Sequence, residues 1–337
     1  MAPLVPSLSL VTVGKETTFG TAVTATVKWM DVLEAPTFDP GASFVRIPSI
    51  RGSLAKSGYI VARAKEMPPA FSWKHLATYE DISYHLETLF GTISPTGTNP
   101  YVRAGQAPLT SVPTSRMQTI HLANLDGTDG FFYKHVSTIG KKIAFSVKSN
   151  DYATLTVDRI SQKVIASDAT AAATGSLNDR TVSAIMGNDM LLYIDAVGGT
   201  IGTTAITPAG YEASWEVESN RVQDMQLGGT TPVQHIEGQE WTGKLSLKLI
   251  WSSSSKAYVD ALFGTTTAFT KQVRLKFTTG SSAIAQFDFA GTVLNGAQIN
   301  EGANETVVAT LNFENTYNSA LGNWFKFSTT NAVATLA

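Results

Sequence analysis

The sequence predicts a mainly β protein of two tandem barrel or sandwich domains, each with one short α-helix packed on its barrel. Three observations lead there. The 337 residues lean on Thr, Ser and Gly with scattered aromatics, and such chains favour strands and turns over helices. Several short stretches alternate apolar with polar residues, the period of a half-buried strand. One helix ending is also written twice. Glu87–Thr92 and Asp260–Thr265 each read as an acidic residue, a small spacer and Leu-Phe-Gly-Thr.

The length suits two domains, and 43% hydrophobic against 15% charged residues is enough apolar material for real cores. The net charge of −2 gives the whole molecule no general attraction for nucleic acid or anionic membrane. Cysteine is absent, which removes disulfides, thiol catalysis and thiolate metal sites together.

Along the chain, residues 1–30 read as an amino-terminal arm. The opening MAPLVPSLSLVTVGKE has no basic leader, carries Pro3 and Pro6, and is too short to span a bilayer. Residues 31–172 form the first domain. It holds a long loop, Val45–Glu66, then a strand, Ala70–Leu76, then a helix within Tyr79–Phe90, where Ile82, Leu86 and Leu89 share one face. Gly91 follows as a left-handed stop. Ile93–Met117 is a Pro- and Gly-rich loop, Asn124–Gly130 a turn on Asp-Gly, and Ala153–Asp158 a strand. A small polar linker at 167–189 leads into the second domain, 173–325. There Met190–Val197, Tyr211–Ser219 and Lys244–Ile250 are strands. Arg221–Glu240 is the second long loop, and a helix at 253–263 ends on Leu262, Phe263 and Gly264. Residues 326–337 are a carboxy-terminal arm.

The two domains align as copies. The helices match when Leu89 is laid on Leu262. The strands before them match one position out of that register, Phe71 on Leu245 and Trp73 on Leu247, and Ala153–Asp158 matches Ala309–Glu314. The last alignment, continued without a gap, pairs Phe131 and Tyr133 with Phe287 and Phe289, Gly140 with Gly296, and Ile143 with Ile299. The change of register falls in the Ile93–Met117 loop, where insertions cost little. The repeated ending, Leu89-Phe90-Gly91 and Leu262-Phe263-Gly264, is expected to stop each helix and plug it into its sheet. Burying each Leu–Phe pair would contribute roughly 3–6 kcal/mol.

Catalytic chemistry is hard to find. The five histidines, His75, His85, His121, His135 and His235, have no metal-ligand spacing. The carboxylate pairs Glu80/Asp81 and Glu216/Glu218 read as solvated faces, and Gly198–Gly202 is not followed promptly by a helix, as a dinucleotide site requires. No cofactor is implied.

Gly14–Val32, with its Glu-x-x-x-Gly-Thr at Glu16–Thr21, resembles the opening of tail tube proteins of long-tailed, siphovirus-like bacteriophages. The run from Ala213 through Leu249 is similar to their strand, long loop and returning strand, and Tyr258–Thr265 to the helix that plugs their barrel. The resemblance implies a structural virion protein made in the host cytoplasm. It self-assembles into stacked rings around a channel for double-stranded DNA and meets tape-measure, terminator and tail-tip proteins. A duplicated chain implies three chains per ring with pseudo-sixfold symmetry. The alternatives are a trimeric phage adhesin or other β-rich virion protein, or a carbohydrate-active enzyme with a carboxylate pair in an aromatic cleft lined from Trp73, Trp215, Trp241 and Trp251.

The two long loops differ in sign. Val45–Glu66 carries Arg46, Arg51, Lys56, Arg63 and Lys65 against Glu66, a net of +4. Arg221–Glu240 carries Arg221 against Asp224, Glu237 and Glu240, a net of −2. These residues are the candidates for contacts between subunits or rings, the basic loop of one ring facing the acidic loop of the next.

Overall fold

The computed structural model describes residues 9–24, 27–28, 32–33, 42–47, 60–66, 70–114, 116–124, 132–166, 182–207, 210, 212–226, 229, 231–238, 240–263, 268–300 and 307–336. In chain order they form β1 (Ser9–Lys15), β2 (Val27–Lys28), β3 (Ala42–Ile47), β4 (Ile60–Glu66), β5 (Ala70–Leu76), α1 (Ile82–Phe90), β6 (Tyr101–Gln106), β7 (Gln118–Asn124), β8 (Phe132–Lys148), β9 (Thr154–Ile160) and β10 (Lys163–Ala166). Then follow β11 (Met190–Ala196), β12 (Glu212–Glu218), β13 (Arg221–Asp224), β14 (Gln234–Glu237), β15 (Thr242–Ile250), α2 (Ser253–Asp260), β16 (Phe269–Thr278), β17 (Ile284–Asn300), β18 (Val308–Asn315) and β19 (Phe325–Asn331). The protein is mainly β. Among the described residues, fifteen strands join one antiparallel sheet that does not close on itself, and β3–β4 and β13–β14 are separate two-stranded hairpins.

The two longest strands, β8 and β17, organise the sheet by changing partners midway. The first part of β8 lies between β7 and β10, and its second part between β9 and β12. The first part of β17 lies between β16 and β19, and its second part pairs with β18. Each has a register irregularity near the change, between Gly140 and Lys142 in β8 and between Val293 and Ala297 in β17. Such bulges bend a strand and increase its twist, which lets one strand serve two sheet directions.

The pairing order runs β5, β9, β8, β12, β15, β18, β17, with Val32 bridging to His75 on the outer side of β5. Alternation places one face of this array in the core. Across the strands, Leu155, Phe145, Trp215, Leu245, Phe313 and Val293 stand opposite one another in a row, and all are buried. The Phe145 and Trp215 rings stack at 5.7 Å, and Phe287 and Phe325 close over Trp215. This core draws on both halves of the chain.

The expected strands at 70–76, 190–197, 211–219 and 244–250 are present as β5, β11, β12 and β15. Other expectations need correction. Residues 9–15, assigned to an arm, form β1, paired along its length with β7, and residues 325–331 form β19 between β17 and β6. The end of the expected linker is buried structure. Ile185 donates its N–H to Ala77 O and accepts from Ala153 N, so it is held between two segments of the first half. The expected loop Ile93–Met117 contains β6, which pairs with β19. Gly105 there lies under the Phe327 ring, and a Cβ at Gly105 would come within 2.3 Å of it.

The alignment of the long strands also shifts. Arg159 and Asn315 correspond when Ala153–Asp158 is laid on Ala309–Glu314, but Arg159 faces Gly140 while Asn315 faces Gly291. The ladder counterpart of Gly140 is therefore Gly291, not Gly296. Ser146 faces Thr154 and Gln298 faces Thr310, so the chain between these rungs is longer in the second hairpin. Length changes fall in turns because loop closure depends weakly on length. By the same ladders Trp73 answers Leu245 rather than the expected Leu247, which leaves the faces unchanged.

Candidate functional site

The end of α1 is buried as its sequence predicts, but Gly91 stops it with positive φ at ψ −170° rather than in the expected left-handed helical conformation. Leu89 and Phe90 are buried, and Gly91 adopts φ +88° with its N–H on Glu87 O at 3.0 Å. A Cβ there would stand 2.8 Å from Thr114 O, so both space and conformation select glycine. The helix is buried on every side rather than docked by one face. Its polar residues are consequently partnered. Arg159, itself buried, donates to His75 Nε2 at 3.2 Å and His85 Nδ1 at 2.8 Å. Glu87 Oε1 accepts from Ile93 N at 3.0 Å. Burial pushes its pKa up to about 7, against the opposing effects of that bond and of Arg103. Asp81, read as solvated, is buried at the start of α1.

The last carbonyls of α1 are capped from the second half of the chain. Arg221 Nη1 donates to Thr88 O (3.0 Å) and Gly140 O (3.1 Å), and Nη2 to Leu89 O (2.8 Å). Its Nε pairs with Glu237 Oε1 at 2.6 Å, and the guanidinium lies 5.4 Å from the Trp241 ring centre. Helix carboxyl ends carry orphan acceptors and a negative dipole end, and a buried planar cation with five donors satisfies both. Arg221, expected in an exposed loop, is a 2% exposed internal tie, and Glu237 is its counter-ion. Sequence alone missed this because neither half contains the whole contact.

The second copy of the ending behaves differently. Ser252 caps α2 in a reciprocal box with Ser255, and the helix stops at Ala261 in right-handed geometry. Leu262 is partly buried against the core, but Phe263 is 73% exposed, so it is not the expected plug. Gly264 lies outside the described residues.

The Glu-x-x-x-Gly spacing has a local explanation. Glu16 is buried, its Oε1 accepting from Thr119 Oγ1 (2.5 Å) and Ser137 N (2.7 Å), and its Oε2 from Ser137 Oγ (2.6 Å). Gly20, at φ +80°, donates its N–H to Ser137 Oγ at 2.7 Å. Both ends of the motif converge on Ser137 of β8, and His235 of β14 donates to Ser137 O at 3.0 Å.

Of the loop charges, Arg46 lies in β3, and Arg63 and Lys65 lie in β4. Their strands pair, while Arg51 and Lys56 lie outside the described residues. Asp224 of β13 is half-buried and accepts from Gln234 Nε2 at 2.9 Å, and Glu240, beyond the end of β14, is exposed. Val222 and Ile236, opposite each other, are 46% and 40% exposed. A hollow of about 440 Å³ beside the hairpin is lined by Trp241, Trp324, Tyr317, Glu237 and Glu240. Glu237 is held by Arg221 Nε and Trp241 Nε1, so these two carboxylates do not form a free acid–base pair.

The outward face of the main array is largely polar. Thr154, Ser146, Ser214, Ser246 and Asn312 form one row, and Lys74, Thr156, Ala144, Glu216, Lys244, Glu314 and Thr292 the next. Flanking rows hold Lys148, Glu212, Lys248 and Thr310 on one side, and Ser72, Asp158, Lys142, Glu218 and Thr242 on the other. The five lysines of these rows are matched by five carboxylates, with Lys142–Glu216 at 2.8 Å and Lys248–Glu212 at 2.7 Å. No helix among the described residues is long and apolar enough to cross a membrane. No protein-family model matches the chain, and no curated protein matches it.

Proposed function

We propose that the chain is a structural virion protein that assembles into stacked rings forming a phage tail tube. In this reading it is a tandem duplicate of a tube-like sandwich whose barrel closes only between chains. One observation carries the reading. The array consists of two units in the same order, the isolated Val32 bridge with β5, β9 and β8, then β12 with β15, β18 and β17. They are joined by the β12–β8 ladder. An array that repeats within one chain and, among the described residues, pairs on one side alone at its ends is suited to continue into further copies, which also removes its edges.

The outward face supports a channel wall. Small hydroxyl side chains and balanced charge give a passing phosphate backbone little to hold, whereas each unbalanced cation would slow it by a salt-dependent contact. Tape-measure, terminator and tail-tip proteins would then be the partners at the tube's interior and ends, and the location would be the virion tail.

The purified full chain should form rings or tubes of constant bore on raising its concentration, seen by negative-stain microscopy and sedimentation. Isolated fibres would favour an adhesin, and monomers at all concentrations would contradict both.

A further inference from the structure

We infer that the ring closes by antiparallel pairing of the Val32–Leu33 segment of one chain with Ala297–Asn300 of the next, in the register Val32 opposite Ile299. The inference rests on the ring reading above and specifies its contact.

The in-chain junction supplies the template. Ala213 of β12 stands between Leu247 of β15 and Val147 of β8. On the outer side of β5, Val32 stands opposite His75, and Leu33 N donates to Lys74 O at 3.0 Å. His75 and Leu247 are equivalent, because they face Leu155 and Leu311, which correspond in the matched strands Ala153–Asp158 and Ala309–Glu314. Val32 is therefore the counterpart of Ala213. Ser146 and Gln298 are equivalent through Thr154 and Thr310, which makes Ile299 the counterpart of Val147. Ala213 pairs with Val147 inside the chain, so Val32 should pair with Ile299 between chains.

Exposure agrees with this assignment. Val147 and Ala213 are 2% and 0% exposed, each covered by the other's strand. Ile299 is 45% exposed, and Ala297–Asn300 pairs on one side alone among the described residues, with β18. Leu33, next to Val32, which among the described residues pairs with His75 alone, is 42% exposed. A β-branched residue left open where its internal counterpart is fully covered marks a missing strand, and the geometry of β12 on β8 supplies its direction and register. The two surfaces differ from each other, so the contact is head-to-tail, which propagates beyond a dimer and forms a ring when the rotation between chains closes.

The chain has no cysteine, which makes the test clean. Directly opposed residues place their Cβ atoms about 4.5–5.5 Å apart. A full-length Val32→Cys, Ile299→Cys variant, assembled and then oxidised, should give covalently linked multimers on denaturing gels, ending at the number of chains in one ring. Equimolar mixtures of the two single variants should stop at dimers. Leu33→Cys with Ile299→Cys puts the thiols on opposite faces and should link at least tenfold less. Ile299→Asp should lower ring yield at least tenfold while leaving the monomer's thermal melting unchanged. Rings that form by microscopy without the Val32–Ile299 link, or with equal linking at Leu33, would overturn the pairing and leave the ring reading standing. Absence of any assembly by the unmodified chain would overturn both.

Discussion

Arg221 shows how a single side chain joins the two halves. Its guanidinium serves three carbonyls and one carboxylate, so removing it leaves four acceptors without their donor. Arg221→Met keeps contact with Trp241 but loses every polar bond. It should cost about 3–5 kcal/mol in urea unfolding, and a loss under about 1 kcal/mol would contradict its role as a tie. Protonation provides a second test at this scale. Burial lowers the His135 pKa to about 4, so its contribution is present above pH 6.5 and lost as pH falls toward 4. Glu87 is shifted the other way, up to about 7, so its contribution is present below 4.5 and lost as pH rises toward 7. Unfolding midpoints measured from pH 4 to 8 should therefore flatten on the acid side in His135→Gln and on the neutral side in Glu87→Gln. Identical pH profiles for these variants and the parent would refute both assignments. Neither role was legible in sequence. Glu87 looks like a surface helix residue, and Arg221 like a loop charge, until long-range packing encloses them.

At the scale of elements, alternation made the strands legible, because Phe71, Trp73, Trp215, Leu245 and Leu247 announce their buried face by spacing alone. β6 was not legible, since Tyr101–Gln106 has one buried residue and owes its pairing to β19, close to the far end of the chain. The repeated helix ending was legible as a motif but not as two equal functions. Phe90→Ala should cost about 3–5 kcal/mol, as core aromatics do, while Phe263→Ser should change monomer stability by less than about 0.5 kcal/mol. Equal losses in thermal unfolding would mean that both are plugs after all. The two hairpins allow an assembly prediction. Arg221 and Glu237 neutralise each other internally, so Asp224 and Glu240 carry the free negative charge of β13–β14. If basic and acidic hairpins set the register between rings, Arg51→Glu with Lys56→Glu should leave single rings intact and block stacking. Adding Asp224→Lys and Glu240→Lys should partly restore it. Reversing Glu237 instead would place a cation against Arg221 and destabilise the fold. Tubes of normal length from the basic-loop reversal alone would remove this account. Growth of the parent tubes should also slow with salt, because such contacts are screened over about 8–10 Å.

For the whole molecule, the matching segments that point to a duplication were readable in the sequence, whereas the single array joining the two halves was not. The β12–β8 ladder unites sequences that look like separate domains, and a strand pattern does not reveal which strand from the other half will lie beside it. Among the described residues, that ladder joins the two strand sets into one array whose outer members, Val32 and Ala297–Asn300, each pair on one side alone. In the proposed assembly three such chains close into one ring of six related units. Native mass measurement of single rings tests this most directly. Three chains of 36.0 kDa predict a ring of about 108 kDa, and a ring of twice that mass, holding six chains, would contradict it.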